Sequence, residues 1–121
     1  MVALIKARQT AAFIASEPSS QGLRGRDVQT FDSTTDWGGE VIPVGQVFAV
    51  VGGAAVAFDG DGVDGSEVAA GILYEAVPAG ETVDRTVITR DTEVVLAELT
   101  FDGTDAEVSA ALAANGIIVR T

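Results

Sequence analysis

Cysteine and histidine are both absent from this 121-residue chain. Their absence removes disulfides, thiolate and imidazole metal ligands, and every Ser-His or Cys-His catalytic pair. It leaves the redox compartment open, because such a chain is at ease inside or outside a cell. Positive charge is scarce: 7 Lys and Arg stand against 18 Asp and Glu, for a formal net charge of −11. Nucleic-acid affinity comes largely from Lys and Arg displacing counterions, so nucleic acid is not an expected partner. Stacking rings are few, with one Trp and one Tyr, which gives a carboxylate-based glycosidase cleft little to hold a sugar. Neither a Gly-x-x-x-x-Gly-Lys phosphate loop nor a Gly-x-Ser-x-Gly elbow occurs. The expectation is one domain without catalytic residues, cofactor or resident metal.

A long uninterrupted apolar run is also missing. Residues 41–58 carry no charge, but Pro43, Gly45, Gln46, Gly52 and Gly53 break the stretch. Two buried strands around a Gly-Gly turn explain it better than a spanning helix. Met1 to Ala15 contains Lys6, Arg8, Gln9 and Thr10, so it lacks the apolar core of a secretory signal and is expected to stay attached. The chain therefore reads as a soluble protein.

The charge that is present is unevenly placed. Lys6, Arg8, Arg24 and Arg26 against Glu17 give residues 1–26 a charge of +3, and the remaining residues carry −14. The basic leader reads either as a solvated tail or as an arm that docks on an acidic partner. Residues 1–40 are polar and irregular, with loop material at Glu17 to Gly22 and Asp32 to Asp36 around a short strand at Asp27 to Phe31. From residue 41 onward, β-branched runs at Val44–Val51, Ala54–Phe58, Val68–Leu73, Thr86–Arg90 and Glu93–Thr100 alternate with turn residues, as in a compact sheet fold. The alternation in Glu93–Thr100 is incomplete, which predicts a bulge or two-sided burial.

Thr104-Asp105-Ala106-Glu107 has the spacing of a capping box, in which the Thr hydroxyl and the Glu carboxylate each satisfy an amide at a helix start. The spacing predicts a helix of about eleven residues, with Val108, Ala111, Leu112 and Asn115 on one stripe, stopped by Gly116 and followed by a buried strand at Ile117-Ile118-Val119. Asp59 to Gly65 formally contains Gly-x-Gly-x-x-Gly. A strand pattern follows it instead of a helix, and three aspartates would repel a pyrophosphate, so the dinucleotide reading is rejected. Asp59 and Asp61 are spaced like the first ligands of a calcium loop, but the later ligand positions fail. A solvated turn is the simpler reading. A weak cation site there is kept as the alternative, and it would make the chain an acidic β-rich ligand-binding module.

An ordered series of segments adds what chemistry cannot. Ala70-Gly71-Ile72-Leu73-Tyr74-Glu75, Val87-Ile88-Thr89-Arg90-Asp91-Thr92-Glu93-Val94, Ala97-Glu98-Leu99-Thr100-Phe101 and Ala111-Leu112-Ala113-Ala114-Asn115-Gly116-Ile117-Ile118-Val119-Arg120 follow one another. Upstream stand Phe13-Ile14-Ala15-Ser16-Glu17, Arg24-Gly25-Arg26-Asp27 and Val44-Gly45-Gln46-Val47-Phe48. From about residue 12 to the end, this series resembles the lambda-type head decoration proteins of tailed bacteriophages. Asp36 to Glu40 has no place on the family pattern, and Arg24-Gly25-Arg26 stands where a Ser often precedes the Arg.

The resemblance implies a mainly β fold with one short C-terminal helix, a compact β-clip-like domain at residues 41–121 preceded by a flexible N-terminal arm. Residues 1–40 would be the arm and irregular segment that dock on a capsid. It implies a homotrimer, made in the host cytoplasm, on the outer surface of the phage head, cementing the major capsid protein lattice after expansion. The expected docking residues are Phe13, Ile14, Arg24, Arg26 and Val28, with apolar groups supplying desolvation and Arg forks pairing with capsid carboxylates. A solvated surface charge is the plain alternative for each Arg. Trp37 either covers the core, the reading we favour, or anchors an interface.

Overall fold

The computed structural model describes the backbone of residues 14–16 and all of residues 26–121. Its elements in chain order are β1 (Ile14–Ser16), β2 (Arg26–Asp32), α1 (Ser33–Asp36), β3 (Val47–Val51), β4 (Ala54–Ala57), β5 (Gly71–Leu73), β6 (Thr82–Ile88), β7 (Glu93–Val95), a 3-10 turn (Leu96–Glu98), α2 (Asp105–Ala113) and β8 (Ile118–Arg120). The fold is mainly β with a short helix near the C-terminus, as expected.

Five strands form an antiparallel sheet in the order β2-β6-β5-β3-β4, and β1-β7-β8 form a smaller mixed sheet. The large sheet is apolar on both faces at its centre because consecutive residues there are bulky and buried. Val47, Ile72 and Ile88 stand in register across three strands and pack with Val94, Val108, Leu112 and Ile117 of the small sheet and α2. Their neighbours Phe48, Leu73 and Val87 point the other way and join Phe31, Ile42, Ala55 and Val77 in a second core. The sheet curls around this second core, bringing its edge strands β2 and β4 against each other. Gly71 permits the curl: a Cβ there would sit 2.5 Å from the Ile88 carbonyl oxygen and 3.2 Å from the Phe48 ring.

Gly52 (φ +60°) and Gly53 (φ +87°) make the tight turn between β3 and β4 that the Gly-Gly pair predicts. The capping box is present: the Glu107 amide donates to Thr104 Oγ1 at 3.1 Å, and the Thr104 amide donates to Glu107 Oε1 at 2.8 Å. The helix is nine residues, shorter than expected, because the chain leaves it two residues before Gly116 (φ +75°). Its stripe is as read: Val108 and Leu112 are buried, and Asn115 Nδ2 donates to the Ala69 carbonyl at 2.8 Å.

Several expectations change. Asp32 to Asp36 is a helical turn and not a loop, because Asp32 Oδ1 accepts from the Thr34 and Thr35 amides, both at 3.1 Å. Ser33 is buried behind it, exchanging hydrogen bonds with Glu81. The broken alternation after Glu93 is the 3-10 turn, which brings Leu96 and Leu99 to the same core. Strand β6 starts at Thr82, four residues before the apolar run, since its polar half pairs with β2 near the sheet margin. The last strand is not uniformly buried: Ile117 is, whereas Ile118 is half exposed. Composition grouped residues 26–40 with the leader, yet β2 is paired along its whole length and Phe31 is fully buried.

Candidate functional site

The face of the large sheet that carries Ile72 and Ile88 is covered only in part. Beyond the rim of α2 and the small sheet, β2 and β6 extend with Val28 opposite Thr86, and the Tyr74 amide bonds the Thr86 carbonyl at 3.0 Å. Val28, Thr86 and Tyr74 therefore lie in one row across neighbouring strands. Val28 is 70% exposed. Arg26, on the same face as Val28, lays its guanidinium 4.3 Å from the centre of the Tyr74 ring, which fixes the charge by cation–π attraction. An open depression lined by Arg26, Asp27, Val28 and Thr86 results. Thr30 continues the row of outward residues and donates to Asp84.

Asp27 alternates to the opposite face, where its Oδ2 accepts from Thr89 Oγ1 at 2.9 Å and from Arg90 Nη1 at 3.1 Å. The pair is half exposed on both sides. The other basic groups of the acidic body also have partners at home: Arg85 Nε donates to the Ala76 carbonyl at 3.0 Å, and Arg120 forms an ion pair with Glu93 at 3.1 Å. The Glu93 carboxylate pushes the Arg120 guanidinium's pKa up, through its hydrogen bond first and its charge second.

The structure thus brings Arg26 and Val28 together on one open patch. Phe13 and Arg24 lie outside the described residues. Ile14 is in β1, its backbone in register with Val94 of β7. Trp37 does not join the patch. It follows the opposite end of β2, a strand of about 20 Å, where its indole Nε1 donates to the Ala55 carbonyl at 3.0 Å and its ring lies 6.4 Å from Phe31. There it is half-buried against the second core and helps join β2 to β4.

The acidic loop from Asp59 to Gly65 uses its carboxylates on itself. Asp59 Oδ1 accepts from the Asp61 amide at 3.0 Å, and Asp64 Oδ1 accepts from the Ser66 hydroxyl at 2.7 Å and amide at 3.1 Å. The Ser66 hydroxyl, followed by its amide, holds the Asp64 carboxyl below its ordinary pKa. Among the described residues, no three acidic groups converge as metal ligands would. The spacing of Gly60 and Gly62 reflects packing: a Cβ on Gly60 would collide with the Glu107 carboxylate, and one on Gly62 with the Ser66 hydroxyl. Among the described residues, no helix is long and apolar enough to cross a membrane.

Sequence reasoning missed the Asp27, Thr89 and Arg90 group. Its members are 62 and 63 positions apart, and no local spacing could have joined them.

A family model described as bacteriophage lambda head decoration protein D matches residues 4–118. No curated protein matches the chain.

Proposed function

Because the chain belongs to the bacteriophage lambda head decoration protein D family, a family of structural proteins on the virion capsid, we propose that it attaches as a homotrimer to the outside of the expanded phage head and cements the major capsid protein lattice. The observation that carries this reading is the family match across nearly the whole chain. The physical task is association without chemistry. Each copy bridges capsid subunits that internal pressure pulls apart, and several contacts per trimer convert modest single-site affinity into tight holding.

In this proposal Phe13, Ile14, Arg24, Arg26 and Val28 form the docking group. The patch of Arg26 and Val28 supports it, because a large apolar side chain stands exposed beside a guanidinium already fixed in orientation. Burying Val28 supplies desolvation, and charge pairing supplies orientation. The acidic body then faces solvent, where like charge discourages particles from adhering to one another. The indole hydrogen bond of Trp37 to the Ala55 carbonyl and its contact with Phe31 support its role as a cover of the second core. The head after maturation is the expected platform, and the host cytoplasm the site of synthesis.

Co-sedimentation of the protein with expanded capsids tests the reading, together with light scattering of the free protein, which should give three times the chain mass. A truncation for this purpose should stop at residue 13, since β1 pairs with β7 and a longer deletion removes a strand. Loss of capsid binding in a folded variant lacking residues 1–13 supports the place of Phe13 in the docking group. Unchanged binding would remove Phe13 from it and leave the contact to the residues that remain.

A further inference from the structure

We infer that Tyr74 is the positioning residue of the docking patch: its ring, anchored on the first core, holds the Arg26 guanidinium in place before a capsid subunit arrives. The inference rests on the attachment reading above.

Three observations carry it. First, Arg26 and Tyr74 share a face of the large sheet without being neighbours on it. Arg26 stands opposite Ile88 and Ile88 opposite Ile72, whereas Tyr74, two residues past Ile72, bonds through its amide to the Thr86 carbonyl. The two residues are therefore two strands apart, about 10 Å, with β6 between them. The Arg26 side chain has to cross β6 to bring its guanidinium to 4.3 Å from the ring centre. Second, the ring is tied to the body. Tyr74 is half-buried and packs against the core of Ile72, Ile88 and Leu112. Third, the laid-down Arg26 borders the same open depression as Val28 and Thr86, so this pose sets a charge beside the exposed apolar side chain.

A long Arg side chain loses much rotamer freedom when a partner immobilises it. One already resting on an aromatic face has lost part of that freedom in the free protein, so docking costs less. Tyr74 acts through Arg26, and its ring need not touch the capsid to govern affinity.

The test is capsid affinity of the full chain, measured by titrating expanded capsids with Tyr74→Leu, Tyr74→Phe, Arg26→Ala, Val28→Asp and the double variant Arg26→Ala/Tyr74→Leu. Tyr74→Leu keeps an apolar group on the core and removes the ring, and should weaken binding about two- to fivefold. Tyr74→Phe keeps the ring and should bind as the unchanged protein does. In the Arg26→Ala background, Tyr74→Leu should have no further effect. A merely structural role would weaken binding equally in both backgrounds, whatever the change in melting temperature.

Equal effects of Tyr74→Leu with and without Arg26, loss of affinity in Tyr74→Phe, or unchanged affinity of Tyr74→Leu while Arg26→Ala and Val28→Asp weaken binding, each overturn the positioning role alone. Unchanged affinity in every variant overturns the place of Arg26 and Val28 in the contact as well. Failure of the unchanged protein to bind expanded capsids overturns the attachment reading beneath both.

Discussion

Replacing Val28 by Thr separates docking from folding. The two side chains have nearly the same shape and both are β-branched, so β2 keeps its geometry. Val28 is 70% exposed in the free chain, so its methyl groups contribute little to folding and have apolar surface still to bury on a partner. Complete burial of a valine is worth about 1.5–3 kcal/mol. The exposed share of that range is about 1–2 kcal/mol. The substitution exchanges one methyl for a hydroxyl, which loses part of this and adds the cost of desolvating an unpaired polar group. A single contact should weaken by about 1–2 kcal/mol, or about 5- to 30-fold. On the proposed trimer, several contacts would make the apparent loss on a capsid larger still. The assay is titration of labelled protein onto expanded capsids, with melting of the free protein as control. Binding within twofold of the unchanged protein, at equal melting temperature, would refute the assignment of Val28 to the contact.

Three other outcomes follow from the geometry. Thr104→Ala removes one half of the capping box and should cost about 1 kcal/mol, lowering the melting temperature by about 3–5 °C without changing capsid affinity. Gly71→Ala forces a methyl to within 2.5 Å of the Ile88 carbonyl oxygen; neither that strand nor the buried Phe48 ring can retreat, so thermal melting should show a loss of about 1–3 kcal/mol. The Thr35 amide and then its hydroxyl hold the Asp32 carboxyl below its ordinary 3.8, against the smaller opposing effect of desolvation. A depressed pKa contributes stability above the unfolded value and loses it as the pH falls through the folded one. The stability of the unchanged protein should therefore decline below about pH 4, and Asp32→Asn should flatten that decline in melting curves recorded from pH 6 to pH 2.

What could be read without coordinates was what local chemistry fixes. The capping box specifies α2, since Thr104 and Glu107 satisfy each other's amides within four residues. The Gly-Gly turn specifies the β3 and β4 hairpin, because both glycines adopt positive φ. The polar first half of β6 escaped notice because Thr82, Asp84 and Arg85 gain their extended form from pairing with strand residues 50 to 56 positions earlier. The helical turn at Ser33 was hidden for a related reason: Asp32 caps it, but Glu81 and Pro78, far along the chain, hold Ser33 in place. Arg26 and Val28, which we propose for docking, were singled out separately from the charge split and the short strand; that they share one open patch comes from the fold. The tie from Asp27 to Arg90 was not legible, because it exists only once β2 lies beside the end of β6.

The most direct measurement is co-sedimentation of the unchanged protein with expanded capsids, followed by heating of the decorated and bare particles. The protein should pellet with the capsids at a stoichiometry divisible by three and raise the temperature at which the shells break. Protein that stays in the supernatant, or that pellets without altering the breaking temperature, would contradict attachment or cementing respectively.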